Sequence, residues 1–263
     1  GHPQIAMQPI PTPNSEMARF MHTTGSCNKG AYIPCKAGGK AQFHHSIGAL
    51  YVQVVGDFHY PIQLNWNGDG FHYMDEYWTV DGMVKAERAL ALNSGDIHAD
   101  WECPKNTKKK IQLMDRLDVV AHITQDLHNH SVGSHHNSTR TKIEMAMRGE
   151  IYVEKEMYKS VDYVRRTARE ENLIIDSNHN DHADQWLDKF KPWEDPINAP
   201  FAALLQTNMY GTDMNALETY FSLCDTSDFT YEFVPASEPR LIGDRDVSQH
   251  GHRGANGSRG STV

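Results

Sequence analysis

From about residue 90 onward, several apolar runs end in residue types that bind metals. "ALALNSGDIH" closes with Asp96 and His98, "VVAHITQDLHN" with Asp126 and Asn129, and "NLIIDSNHND" with Asn178, His179 and Asp181, while "VSQHGH" adds His250 and His252. Residues i and i+2 of an extended segment point the same way, so Asp96 and His98 would converge at the end of a short strand. Hard carboxylate and amide oxygens mixed with imidazole nitrogens suit manganese, iron or zinc rather than calcium. Any single stretch is a weak signal in a chain with 16 histidines, and "VVGDFHYP" repeats the Asp-x-His spacing at Asp57 and His59. Each residue also has a plainer reading: Asp126 could cap the next segment, Asn178 could sit in a turn, and His250 and His252 precede a Gly-rich tail. The ordered set carries the weight, because strand ends of one sheet lie side by side and can share a pocket.

The elements needed to position these residues are read from alternating patterns. Strand-like "ALALNSGD", "DVVAHITQD" and "NLIIDSNHN" alternate with helical "KKKIQLMDRL", a long helical stretch from "TRTKIEM" to "RRTAREE" broken near Gly149, and "ADQWLDKF". "LIGDRDV" reads as a further strand before the His-Gly-His cluster. This alternation predicts an α/β layered fold over residues 91–263. Before it, residues 1–90 read as a β-rich N-terminal extension: after an irregular Pro-rich start, "IGALYVQVVGDFHYPIQLNW" mixes β-branched and aromatic residues as strands do, and "NGDG" reads as a turn. There is no internal repeat.

Composition bounds the function. The 263 residues suffice for one large domain with an extension, and 39% hydrophobic content without a long uncharged run argues against a membrane span. The N-terminal stretch lacks the apolar core of a signal peptide, so an intracellular, cytoplasmic protein is expected. Cys27, Cys35, Cys103 and Cys224 are scattered without a C-x-x-C pair and are expected as free, buried thiols. A formal charge of −9 counts against a broad basic surface for nucleic acid. Local basic stretches, Lys105 with Lys108, Lys109 and Lys110, and Arg165 with Arg166 and Arg169, could meet phosphates but are expected on solvated helix faces. For His128, His130, His135 and His136 a solvated polar loop is preferred over substrate contact, and for the aromatic segment 64–78 core packing over base stacking.

The ordered blocks resemble the calcineurin-like metallophosphoesterase superfamily, whose signature runs D-x-H, G-D-x-x-[DN], G-N-H-[DE], a later H, and finally G-H-x-H. "GDIHAD" matches the first block, "QDLHN" the second with Gln125 for glycine, and "SNHN" the third with Ser177 for glycine and Asn180 for the acidic residue; "HGH" at 250–252 is similar to the fourth. The order also sets aside Asp57 and His59. The last block is absent, so the resemblance implies a domain lacking its last C-terminal strands. It further implies a two-sheet β-sandwich flanked by helices and a pair of divalent ions, Mn2+ first, with Mg2+, Fe2+ or Zn2+ as alternatives. By the same resemblance Asp96 and His98 bind the first ion, Asp126 bridges, and Asn178 with His250, or His252 beside it, holds the second. His179 protonates the leaving oxygen, and Asp181 stands in for the acidic residue that orients it. Two-ion sites of this kind hydrolyse phosphoesters by activating water for in-line attack.

The N-terminal "HTTGSCNKGAYIPCKAGGK", "GDIHAD" and "HGHRGANGSRGS" are also similar to phage-encoded metallophosphoesterases, in particular the pre-early DNases of T-five-like bacteriophages. That resemblance implies a manganese-dependent DNase or exonuclease with DNA as substrate, assembling as a homo-oligomer in the host cytoplasm. The alternatives are a phosphatase or phosphodiesterase for nucleotides, or an inactive nucleic-acid-binding or assembly module.

Overall fold

A computed structural model describes residues 4–13, 16–134 and 137–250, and the backbone divides into two compact units, Gly1–Glu87 and Arg88–Val263. In the first unit β1 (Ile5–Ile10) and β2 (Arg19–Thr24) pair antiparallel, followed by α1 (Lys36–Phe43). Next come the hairpin of β3 (Gly48–Val55) and β4 (Phe58–Asn65) and the antiparallel meander of β5 (Gly70–Tyr73), β6 (Glu76–Thr79) and β7 (Gly82–Lys85). Gly56 (φ +58°) and Asp57 form the two-residue turn between β3 and β4. A left-handed residue there matches the twist of the flanking strands. The "NGDG" turn is closed by Asn67, whose Oδ1 accepts the backbone N–H groups of Asp69 (3.2 Å) and Gly70 (3.0 Å).

The aromatic residues of segment 64–78 do not form a core. Phe71 and Trp78 face each other in register and stack with ring centroids 6.4 Å apart, yet Trp78 stays exposed. Among the described residues of this unit only Gly25, Gly48 and Gly70 are buried. The expectation of packing fails because sheets of two and three strands have no apolar layer of their own to cover them.

The second unit opens with β8 (Ala91–Ser94), α2 (Pro104–Arg116), β9 (Ala121–Thr124), α3 (Thr139–Met147), α4 (Val153–Arg166) and β10 (Glu171–Ile175). It continues with α5 (His182–Asp188), α6 (Ala199–Met209), α7 (Ala216–Leu223), β11 (Glu232–Val234), β12 (Leu241–Ile242) and β13 (Arg245–Asp246). β8, β9, β10 and β11 form one parallel sheet in chain order. The three strands expected to carry ligands are therefore neighbours. Every residue of β9 and all but the first of β10 are buried, as in parallel strands covered on both faces.

The two faces divide the core. Ile174 joins Met157 and Val161 of α4, Leu205 of α6 and Phe221 of α7 in the larger cluster. Ile123, Leu173, Ile175 and Val234 pack on the other side with Ile242 and Val247. There the stretch expected as a single strand, "LIGDRDV", is instead the β12–β13 hairpin. The α3–α4 break falls where expected, at Gly149 with φ +74°. α6, α7 and β11 had no counterpart in the sequence reading.

The four cysteines are free, but Cys27, Cys35 and Cys103 are exposed rather than buried. Cys35 and Cys103 sit at the N-cap positions of α1 and α2, where the chain enters a helix at the surface. Among the described residues no helix is long and apolar enough to cross a membrane.

Candidate metal centre

The chain brings the Asp-x-His segment to Asp126 through its backbone. Beyond β8 and β9 the two segments stay hydrogen-bonded: Gln125 N–H donates to Ser94 O (2.9 Å), Ile97 N–H to Gln125 O (3.3 Å), His98 N–H to Asp126 O (2.8 Å) and Ala99 N–H to Leu127 O (3.0 Å). Asn180 fastens the next loop. Its Oδ1 accepts His128 N–H (3.1 Å) while its Nδ2 donates to Ile175 O (3.2 Å). Asp96, His98, Asp126 and His130 all take positive φ, 48°, 43°, 48° and 58°. For residues with a Cβ this conformation costs on the order of 1–3 kcal/mol each, and it persists only where surrounding contacts fix it.

One ligand atom each from His98, Asp126 and His179 lies within 4.8 Å of the other two. Asp126 is buried, its Oδ2 stands 2.9 Å from His250 Nε2, and among the described residues its Oδ1 has no hydrogen-bond partner; neither does the buried Nδ1 of His98. Buried polar atoms left unpaired are costly, so a binding partner is expected at such positions. His250 Nδ1 lies 3.2 Å from Gln125 Oε1 and donates to it. His250 Nε2 is thereby turned toward the Asp126 carboxylate, as a further nitrogen donor beside the cluster. An oxygen and nitrogen donor set with orphaned atoms fits a divalent transition ion.

The other expected residues are placed less centrally. The Asp96 carboxylate is 85% exposed and 3.9 Å from His98 Nε2, on the rim of the cluster. Asn178 is half-buried beside His179, and half-buried Asp181 occupies the N-cap position of α5. His252, His135 and His136 lie outside the described residues.

Asn129 holds the His179 ring. Asn129 Oδ1 is 3.0 Å from His179 Nδ1, Asn129 Nδ2 donates to Ser131 Oγ (2.7 Å), and Ser131 Oγ donates to the Asp100 carboxylate. That order of donors turns the Asn129 oxygen toward the ring, so His179 Nδ1 carries a proton. Burial pushes the His179 pKa down, with His98 and His182 acting in the same direction against Asp126 and Asp96. Asn180, at the acidic position of the family pattern, is committed to joining the two loops.

Two histidines expected in a solvated loop are buried instead. His128 and His130 are each 1% exposed, with His128 Nε2 3.2 Å from His130 Nδ1 and Ser160 Oγ 3.4 Å from His128 Nδ1. Burial drives the His128 pKa far down and brings His130 to about 3. The small polar Ser160 and the acidic Glu156, both on the apolar face of α4, were the available signal that a polar loop docks there. The arginine stretch is neutralised, for Arg165 pairs with Asp228, Arg166 with Glu102 and Asp162, and Arg169 with Asp115, while Lys105, Lys108 and Lys109 are exposed as expected. Lys110 is not on a solvated face, for it meets Tyr163 and His122, and burial lowers its pKa to about 8.

No family model matches the chain, and no solved structure matches it. It is similar to Protein A1 of Escherichia phage T5, with 27% identity over 284 aligned positions that cover 99% of this chain and 51% of that protein. The chain thus spans about half the length of this curated relative.

Proposed function

We propose that this chain carries the divalent-cation centre of a phosphoester hydrolase that cleaves DNA. The observation behind this reading is the convergence of His98, Asp126 and His179 ligand atoms at the ends of adjacent parallel strands. The orphaned Asp126 Oδ1 and His98 Nδ1 supply unused donor capacity there. When bound, divalent ions supply Lewis-acid stabilisation of phosphoryl charge and a more acidic water. His98, Asp126 and His179 would hold the first ion, with Asp96 at its rim, and Asn178 and His250 would serve a second beside Asp126. Manganese heads the list for this donor set, ahead of magnesium, iron and zinc.

The Asn129 contact decides how His179 is read. With Nδ1–H given to Asn129, the neutral ring keeps a lone pair on Nε2 and can ligate. Service as a general acid needs a second proton, which burial opposes. We therefore read His179 as a ligand before an acid. His179→Ala should then lower metal occupancy and slow hydrolysis of DNA and of an activated nitrophenyl ester alike. Loss on DNA alone, with occupancy kept, would restore the acid role.

The apolar second face of the parallel sheet, with the β12–β13 hairpin on it, supports a two-sheet sandwich as the finer fold. Similarity to a phage T5 protein supports a phage role, and with it action in the host cytoplasm. Exposed apolar side chains on β3 and β4, such as Val54 and Phe58, support self-association, which sedimentation measures. The deciding experiment incubates the full chain with Mn2+ and labelled DNA, with free nucleotides in parallel. Shortened DNA strands that require metal and Asp126 support the reading; phosphate release from nucleotides alone makes the protein a small-molecule phosphatase. Binding of DNA without any metal-dependent product makes it an inactive binding module.

A further inference from the structure

Trp101 ends the short 3-10 turn Ala99–Trp101 directly after His98, and its indole remains 71% exposed. Its ring centroid lies 6.0 Å from that of His98, and its backbone N–H donates to His98 O at 2.7 Å. An exposed tryptophan anchored beside a candidate reaction centre is not explained by the core. It lines a cavity of about 370 Å3 together with Ser131, Arg148, Lys155, Glu156 and Lys159.

Charge in this cavity is unevenly committed. Glu156 accepts the N–H groups of Ser131 and Val132, an Asp100 oxygen accepts Ser131 Oγ–H, and Glu150 pairs with Arg148 at 2.8 Å. Glu156 and Glu150 are thus engaged within the protein, as is one of the two Asp100 oxygens. Lys155 and Lys159 stand four residues apart on α4, on one side of the helix, and neither forms an ion pair with a described carboxylate. Lys155 lies over the Tyr152 ring, its Nζ 4.6 Å from the centroid. An aromatic face with two ammonium groups outside ion pairs is the combination that holds unpaired nucleic acid, since any base can stack and the lysines follow the phosphates.

The geometry points to a strand-binding subsite in which Trp101 stacks on an unpaired base of DNA and Lys155 and Lys159 hold the adjoining phosphates. It deepens the phosphodiester-cleaving reading, because a base on the Trp101 face leaves its own backbone next to His98. The indole face is accessible to a base only when that base is unpaired, so single-stranded DNA is the ligand.

Binding is measured without turnover, in EDTA, so its result is separate from that of the hydrolysis assay. The probe is a fluorescein-labelled oligothymidylate against an abasic strand of equal length, with folding of each variant checked by circular dichroism. The full chain should prefer the base-bearing strand. Trp101→Ala should weaken oligothymidylate binding by about tenfold, the scale of one stacked base, and abolish the preference over the abasic strand, whereas Trp101→Phe should keep it. The double variant Lys155→Ala, Lys159→Ala should reduce the slope of log affinity against log salt by about 1.4, roughly 0.7 per phosphate contact. No binding by the full chain, equal binding of the two strands, or undiminished affinity in Trp101→Ala would overturn the subsite. Binding as expected without any hydrolysis would leave the subsite standing and remove the catalytic reading.

Discussion

Gly56–His59 and Gly95–His98 both read Gly-Asp-x-His, yet one turns a hairpin and the other ends a parallel strand. In the first, Gly56 and Asp57 reverse the chain and His59 pairs across to Val54, in a unit whose described residues bury only three glycines. In the second, β8 runs parallel to β9, so both chains leave the sheet at the same edge and Asp126 comes to His98. Convergence of ligands is thus a property of parallel neighbours rather than of the local motif. A hairpin returns the chain along its own strand and has no second loop end to offer.

Substitutions matched across the two regions can break or sharpen this contrast. The largest difference should be in stability: Phe221→Ala, at a fully buried ring, should cost about 3–5 kcal/mol in chemical denaturation. Phe58→Ala, at a ring 52% exposed on β4, should cost about 1 kcal/mol, in proportion to the area it buries. Equal costs would show that the N-terminal strands have a core partner. In hydrolysis assays, His98→Ala should slow metal-dependent cleavage by about 10²–10³-fold, the scale of losing one preorganised electrostatic group, while His59→Ala should leave the rate unchanged.

The third contrast is in pH. Glu156 lies on the buried face of α4, and burial raises its carboxyl from 4.5 to about 7. The folded state therefore favours the protonated acid, and this contribution is full below the ordinary carboxyl range and lost as pH rises through about 7. Glu156→Gln should gain stability relative to wild type across that window, by at most about 3 kcal/mol. Urea titrations at pH values on both sides of the window read this, and a constant difference would remove the role of burial. Within the site the smallest expected loss is that of Asn129→Ala. It should weaken metal affinity or activity by about 10–100-fold through the freed His179 ring, as loss of a ligand's supporting hydrogen bond does.

Much of the second unit was legible because parallel, doubly covered strands read as short apolar runs, and β8, β9 and β10 fall on "ALALN", "VVAHI" and "NLIID". α7 carries a start signal of its own: Asn215 Oδ1 caps Glu218 N–H at 2.8 Å, the Asn-x-x-Glu spacing of a helix start. α6 likewise opens with Pro200 at its first turn. In the site, Asp126, His98 and His179 could be grouped from the order of strand ends, since that order fixes which loops meet. The role of Asn129 could not, because it depends on amide orientation within a hydrogen-bond series running to Asp100. Nor could the burial of His128 and His130, which follows from the loop docking on Ser160 and Trp186 rather than from its own composition.

The most direct test of a cation centre built on the parallel sheet is a calorimetric titration with Mn2+ of the full chain and of its Asp126→Ala variant, with circular dichroism confirming that the fold is kept. Asp126 lies between His98, His179 and His250 with an unpaired buried oxygen. Its removal should weaken Mn2+ binding by more than about 100-fold, beyond the effect of losing an outer hydrogen bond. Unchanged Mn2+ affinity in a folded Asp126→Ala variant would contradict the assignment.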